Sequence, residues 1–178
     1  PGWKMVGWDD SGVLFTRGEA TRGLVAVKPW ETKVRWQDPV SAKKELEALV
    51  DTLPCARAHI YLSQLASVQQ DWPEVVEHAR AALHLVPHSA RAWQALAFAS
   101  FQLGDMQTAL EATKEAVRWA PGNPEVQFNR ALVLFRGHPD RSGLSGWLIE
   151  REIQHHIDQT LHLSPGNKAA QALQSELK

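Results

Sequence analysis

The feature that most limits what this chain can fold into is a period. Pro87 and Pro121 stand 34 residues apart, and each closes an apolar, helix-forming run, "AALHLVP" and "EAVRWAP". The same offset relates Leu62 to Leu96, Asp71 to Asp105, Ala82 to Ala116 and Ala97 to Ala131. A fixed period of this length marks a repeat architecture, in which each unit buries its apolar face only by stacking on its neighbours. A third terminator, Pro165 in "TLHLSPGN", follows Pro121 by 44 residues, so the third unit holds about ten extra. The sequence places them in an enlarged inter-helix loop at "GHPDRSGLSG".

The stretch "WQALAFASFQLGD", Trp93 to Asp105, carries one charge, at its end, and is apolar on more than one side. A helix of that kind needs more than one packing surface. Helix starts are signalled by Asp38-Pro39, Ser89, Asp105 and Asn123-Pro124, since short polar side chains cap free backbone N–H groups and proline fits the first turn. Pro39–Leu53 reads as a preceding amphipathic helix with Leu46, Leu49, Val50 and Leu53 on one side. Asn167–Lys178 reads as the polar-faced capping helix that a stack needs at its end.

These residues resemble the tetratricopeptide repeat. In the unit 90–121, Trp93 stands in the first-helix aromatic slot and Leu96-Ala97 in the Leu-small slot. Gly104-Asp105 makes the turn, Ala109 and Ala116 are the small second-helix residues, and Pro121 terminates. The unit 56–87 keeps Leu62-Ser63, Ala82 and Pro87 but has His59 in the aromatic slot and Gln70 at the turn glycine; the unit 124–165 keeps Ala131 and Pro165. The resemblance covers about residues 40–178. It implies a mainly α fold, a right-handed α-solenoid of about three helix pairs with a C-terminal capping helix, spanning 37–178.

Residues 1–36 have no helical period. Lys4–Trp8 and Val13–Arg17 are β-rich runs about Asp9-Asp10-Ser11-Gly12, a hairpin pattern, followed by a linker holding Trp30 and Trp36. This is a small appendage or the remnant of a larger domain. "PGWKMVGWDDSGVLFTR" is similar to the extracytoplasmic end of bacterial multi-pass, glycosyltransferase-like membrane proteins, at Pro1, Gly2, Trp3, Val6, Asp9, Asp10 and Arg17. That resemblance implies an alternative: a soluble accessory tail of an envelope membrane protein, periplasmic or membrane-associated. Otherwise the cytoplasm is expected.

Charge and composition narrow the chemistry. Nineteen basic and twenty acidic residues give a net charge of −1, without the basic excess that nucleic acid or an anionic membrane would select. No run approaches the roughly 18 apolar residues of a membrane span. A single cysteine, Cys55, forms no internal disulfide. His84 and His88 straddle a proline, and His155, His156 and His162 are one, six and seven apart rather than a turn apart, so no metal is expected. Ser142 and Ser145 lack the strand-to-helix elbow of serine hydrolases. No catalytic residue and no cofactor are expected.

The repeat resemblance implies that the first helix of each unit lines a concave groove that takes a protein or peptide. The inward positions would be Arg57, Ile60, Gln64 and Ser67, then Arg91, Gln94, Phe98 and Phe101, then Glu125, Phe128, Leu132 and Phe135. Members that hold a peptide carboxylate use Lys, Asn and Arg there; the matching places here are Ile60, Gln64, Ala95, Glu125 and Asn129, which argues against such a clamp. The expected anchors are Phe98, Phe101, Phe128, Leu132 and Phe135, with Arg57, Arg91, Gln94 and Arg136 as polar selectors and rim. A set of that size exposes more apolar area than monomers usually leave uncovered. The cover would be the chain's own Trp-rich N-terminal segment, a partner segment or second copy of the chain, or the adjacent helices.

Overall fold

A computed structural model describes residues 3–8, 13–17, 38–52 and 54–177. The described residues form an antiparallel hairpin, β1 (Trp3–Trp8) and β2 (Val13–Arg17), and eight helices. Trp3 faces Arg17 and Trp8 faces Val13, with a register shift between Met5 and Gly7. The turn Asp9–Gly12, the residues Pro1, Gly2, Trp30 and Trp36, and the expected apolar Leu53 lie outside the described residues. The membrane-protein resemblance rests largely on that group.

Two compact units divide the chain, 1–87 and 88–178. The first holds α1 (Pro39–Thr52), α2 (Ala56–Val68) and α3 (Trp72–Leu85). The second holds α4 (Ala90–Gln102), α5 (Met106–Trp119), α6 (Pro124–Gly137), α7 (Gly143–Leu163) and α8 (Lys168–Glu176). Inside each unit every helix packs on its neighbour in chain order, α1 on α2 and α2 on α3, then α4 through α8 in succession, as in an α-solenoid.

The caps follow the period. Asp71 and Asp105 accept from the backbone N–H of Glu74 and Thr108 at 3.1 Å each. Ser89, Asn123 and Asn167 accept from Ala92, Glu125 and Ala170. Asp38 caps α1 through Ser41 N–H. Each cap stabilises its helix by about 1 kcal/mol. The α2–α3 and α4–α5 turns share one backbone path: Asp71 N–H donates to Ala66 O and Asp105 N–H to Ser100 O. Such a turn needs a left-handed residue just past the helix. Gly104 meets the need at φ 79°, and Gln70 is forced to φ 61°.

Small residues set the helix spacing. Ala79, Ala82, Ala109, Ala112, Ala116 and Ala131 are buried, as the repeat requires, and larger groups fill the seams they leave. In the first unit Ala42 and Leu46 of α1 meet Cys55, Ala58, Leu62 and Leu65, with Leu49, Val50 and Tyr61 at the margin. In the second, Ala131 and Leu134 of α6 meet Ile153 and Ile157 of α7 and Leu173 of α8. Leu96 and Ala97 are buried, whereas Trp93 is only half-buried.

One expectation is corrected. The extra residues of the third unit are not mainly loop, because α7 is 21 residues long where α3 and α5 are 14 each. Buried Ile153, His156, Ile157 and Thr160 stand 44 residues after buried Ala109, Ala112, Thr113 and Ala116. The C-terminal two-thirds of α7 is therefore the ordinary second helix of the repeat. Its first two turns are the addition. They carry Leu144, Trp147 and Leu148, exposed at 76%, 51% and 53%. Only Gly146 of this stretch is buried, and a Cβ there would overlap the backbone of Arg141. The missing side chain lets residues 138–142 fold back onto the helix.

Candidate interaction surface

The expected groove residues divide between the units. Arg57, on α2, belongs to the first and is half-buried; Ile60, expected beside it, is buried, while Gln64 is exposed. The eight expected on α4 and α6 belong to the second unit. On α4, Arg91, Gln94, Ala95, Phe98 and Gln102 recur at helical spacing on one side, and all are exposed or half-buried. Phe98 is 45% exposed. Phe101 is half-buried.

On α6 the apolar residues are more covered than their spacing suggests. Phe128, Leu132 and Phe135 pack against the α6–α7–α8 core. Phe135 is also covered from outside. The Arg141 guanidinium lies 4.4 Å above its ring and donates hydrogen bonds to Phe135 O at 3.1 Å and His138 O at 2.7 Å. Glu125 and Arg136 are exposed, with Asn129 half-buried between them. Within this unit, Phe98 is the large apolar group left most open on α4, beside Arg91 and Gln94. Such an arrangement can bind an extended segment through one aromatic contact and flanking hydrogen bonds. It contains no nucleophile–base pair.

Polar networks lie behind this face. Arg130 on α6 is buried and donates to Leu110 O at 2.7 Å, to Thr113 Oγ1 at 3.3 Å and to Glu152 Oε1 at 2.6 Å, which joins α5, α6 and α7. Gln127 donates its amide to Pro121 O at 2.7 Å, so its Oε1 faces His156 Nδ1, 2.6 Å away. His156 is neutral at that position. Burial first, then the Arg130 charge and His155, push its pKa down to about 4. Charged-residue spacing alone does not show the Arg130 and His156 contacts, which join residues 17 to 29 positions apart.

The other sequence candidates have ordinary surroundings. Cys55 is buried in the first-unit core. His84, His88, His155 and His162 are exposed, and His88 lies against the Trp119 ring. Ser142 and Ser145 are exposed at the start of α7. Among the described residues, no group of three or more His, Cys, Asp or Glu is placed to hold a metal ion. No described helix is long and apolar enough to cross a membrane.

Residues 66–133 match a family model described as tetratricopeptide repeat. Solved structures agree on the fold. The Arabidopsis OM64 TPR domain superposes with a TM-score of 0.58 at 18% identity, over 68% of this chain and 93% of that one. MamA gives 0.67 at 15%, over 86% and 90%. The first TPR of Spaghetti (RPAP3), bound to the HSP90 peptide SRMEEVD, gives 0.59 at 16%, over 68% and 89%. A search among curated proteins found no match.

Proposed function

Because the helices of this chain form tetratricopeptide repeats, we propose that it is a non-catalytic scaffold that binds an extended protein segment along the exposed face of α4. The observation that carries this reading is the α4 face itself: Phe98 at 45% exposure, flanked by Arg91 and Gln94. The fold shared with a domain solved around a bound peptide supports the same reading. The partner is not an acidic C-terminal tail of the kind that a carboxylate clamp holds. Ile60 is buried, Ala95 is apolar, and exposed Glu125 repels a carboxylate. Phe101, half-buried on the same helix, borders this face.

The test is selection of a displayed peptide library on the full chain, followed by affinity measurement for the enriched peptides. Phe98→Asp is expected to weaken binding at least about tenfold, the effect of losing an aromatic anchor, with the far-ultraviolet circular dichroism unchanged. Arg91→Glu shifts the selected sequences toward basic residues. Equal affinity for the Phe98→Asp chain would overturn the assignment of this face.

A further inference from the structure

In the first unit two histidines meet across the α2–α3 seam. His59 Nδ1 and His78 Nδ1 are 3.2 Å apart, with ring centroids at 5.4 Å and the planes tilted by 37°. Both rings are half-buried. Two ring nitrogens at this distance share one proton: one donates and the other must offer its lone pair. The rest of the surroundings are asymmetric. His78 Nε2 lies 3.6 Å from Glu74 Oε1, and Glu74 is held by Lys43 of α1 at 2.7 Å. The charged groups that face the pair are Glu74 and Glu77 from α3 and, beyond Glu74, Lys43 from α1; Glu47 and Asp71 act on that lysine.

This geometry accepts one excess proton and rejects a second. With both rings neutral, one Nδ1–H donates to the other Nδ1. With one ring cationic, the facing hydrogen bond persists, and a protonated His78 turns its Nε2–H toward Glu74. With both rings cationic, two Nδ1–H groups point at each other across 3.2 Å with no acceptor between them. We propose that the His59–His78 pair is a proton-counting latch on the α2–α3 seam, closed by one shared proton and opened by a second. Opening frees α2, the helix that carries Arg57 and Gln64, from its partner helix, so acid changes how this unit presents its outer residues.

The electrostatics run the same way. Burial, and then the charge of His78, hold the His59 pKa below 6.5, and Glu77 only partly offsets them. A base whose folded pKa lies below its unfolded value binds fewer protons when folded. Its contribution is therefore complete above about pH 6.5 and is lost as the pH falls from there through the lower folded pKa.

Peptide-resolved hydrogen exchange on the full chain tests the latch at pH 7.5 and 5.0, with rates corrected for intrinsic pH dependence. In the wild type, α2–α3 peptides are expected to lose protection roughly tenfold at the lower pH. In His59→Gln and in His78→Gln, where one amide replaces one ring, that loss disappears. Unchanged wild-type protection, or an equal loss in both variants, overturns the proposal. If both variants already lack α2–α3 protection at pH 7.5, the wild-type imidazole NMR titrations decide. Two separated steps for His59 and His78 support the latch, and one common step refutes it.

Discussion

Arg130 and Glu152 meet at 2.6 Å across the α6–α7 seam, but water reaches them unequally: the arginine side chain is 11% exposed and the glutamate 43%. Removing the glutamate leaves a buried cation short of its acceptor, whereas removing the arginine leaves a carboxylate that water can solvate. Glu152→Ala is therefore expected to cost about 1–3 kcal/mol. The double variant Arg130→Met with Glu152→Ala regains part of that loss. Urea denaturation of the three chains measures both quantities. A double variant less stable than Glu152→Ala alone would show that the guanidinium contributes more through Leu110 O and Thr113 than through the ion pair.

His156 makes the second unit acid-sensitive. Its folded pKa of about 4 lies below the ordinary 6.5, so the unfolded chain takes up a proton first. The stability contribution is complete above pH 6.5 and falls by about 3 kcal/mol between there and pH 4. His156→Leu removes this dependence, so the stability difference between wild type and variant changes across that window and is constant above it. Urea midpoints at pH 7.5, 5.5 and 4.5 give the comparison.

Gln70 occupies a backbone conformation that suits glycine, at φ 61°. Gln70→Gly is expected to stabilise the first unit by about 1 kcal/mol, because relief of the left-handed strain exceeds the added entropy of the unfolded chain. Gly104→Ala at the equivalent turn is expected to destabilise by a similar amount. Thermal denaturation of both variants should show shifts of opposite sign.

Gly146 is the hinge on which the α6–α7 connection folds back. Gly146→Val places atoms where the Arg141 backbone lies, so residues 138–142 must move and the Arg141–Phe135 contact opens. A loss of about 1–3 kcal/mol is expected, with faster proteolysis between Gly137 and Gly143. Cleavage at the wild-type rate would mean that the strain is absorbed elsewhere.

Much of the fold was legible because it repeats. Asp105, Ser89 and Asn123 announce helix starts through local chemistry, and the 34-residue offset then carries the buried alanines from one unit to the next. The start of α7 was not legible, because Gly143, Ser145 and Gly146 have the composition of a loop. Of these only Gly146 is buried, against the Arg141 backbone, a contact that no local pattern reveals. Phe128, Leu132 and Phe135 have the spacing of an open face, yet they pack against α7 and α8, whose positions no local pattern in α6 reveals. The His59–His78 and Arg130–Glu152 contacts have no sequence signal, since each joins residues about 20 positions apart whose types are ordinary surface residues.

The place of the α7 addition has a consequence for how this fold tolerates insertions. About seven extra residues lengthen the helix at its N-terminal end, and the non-helical residues 138–142 separate that end from α6. Ile153 and Ile157 take their orientation from Ala131 and Leu134 of α6 and Leu173 of α8, so the extension can begin at any angle without turning them toward water. An insertion inside the buried stripe would instead turn everything beyond it by about 100° per residue. Growth at a helix end beside a loop is free of that angular phase, which makes this junction the place where the repeat can lengthen at little cost.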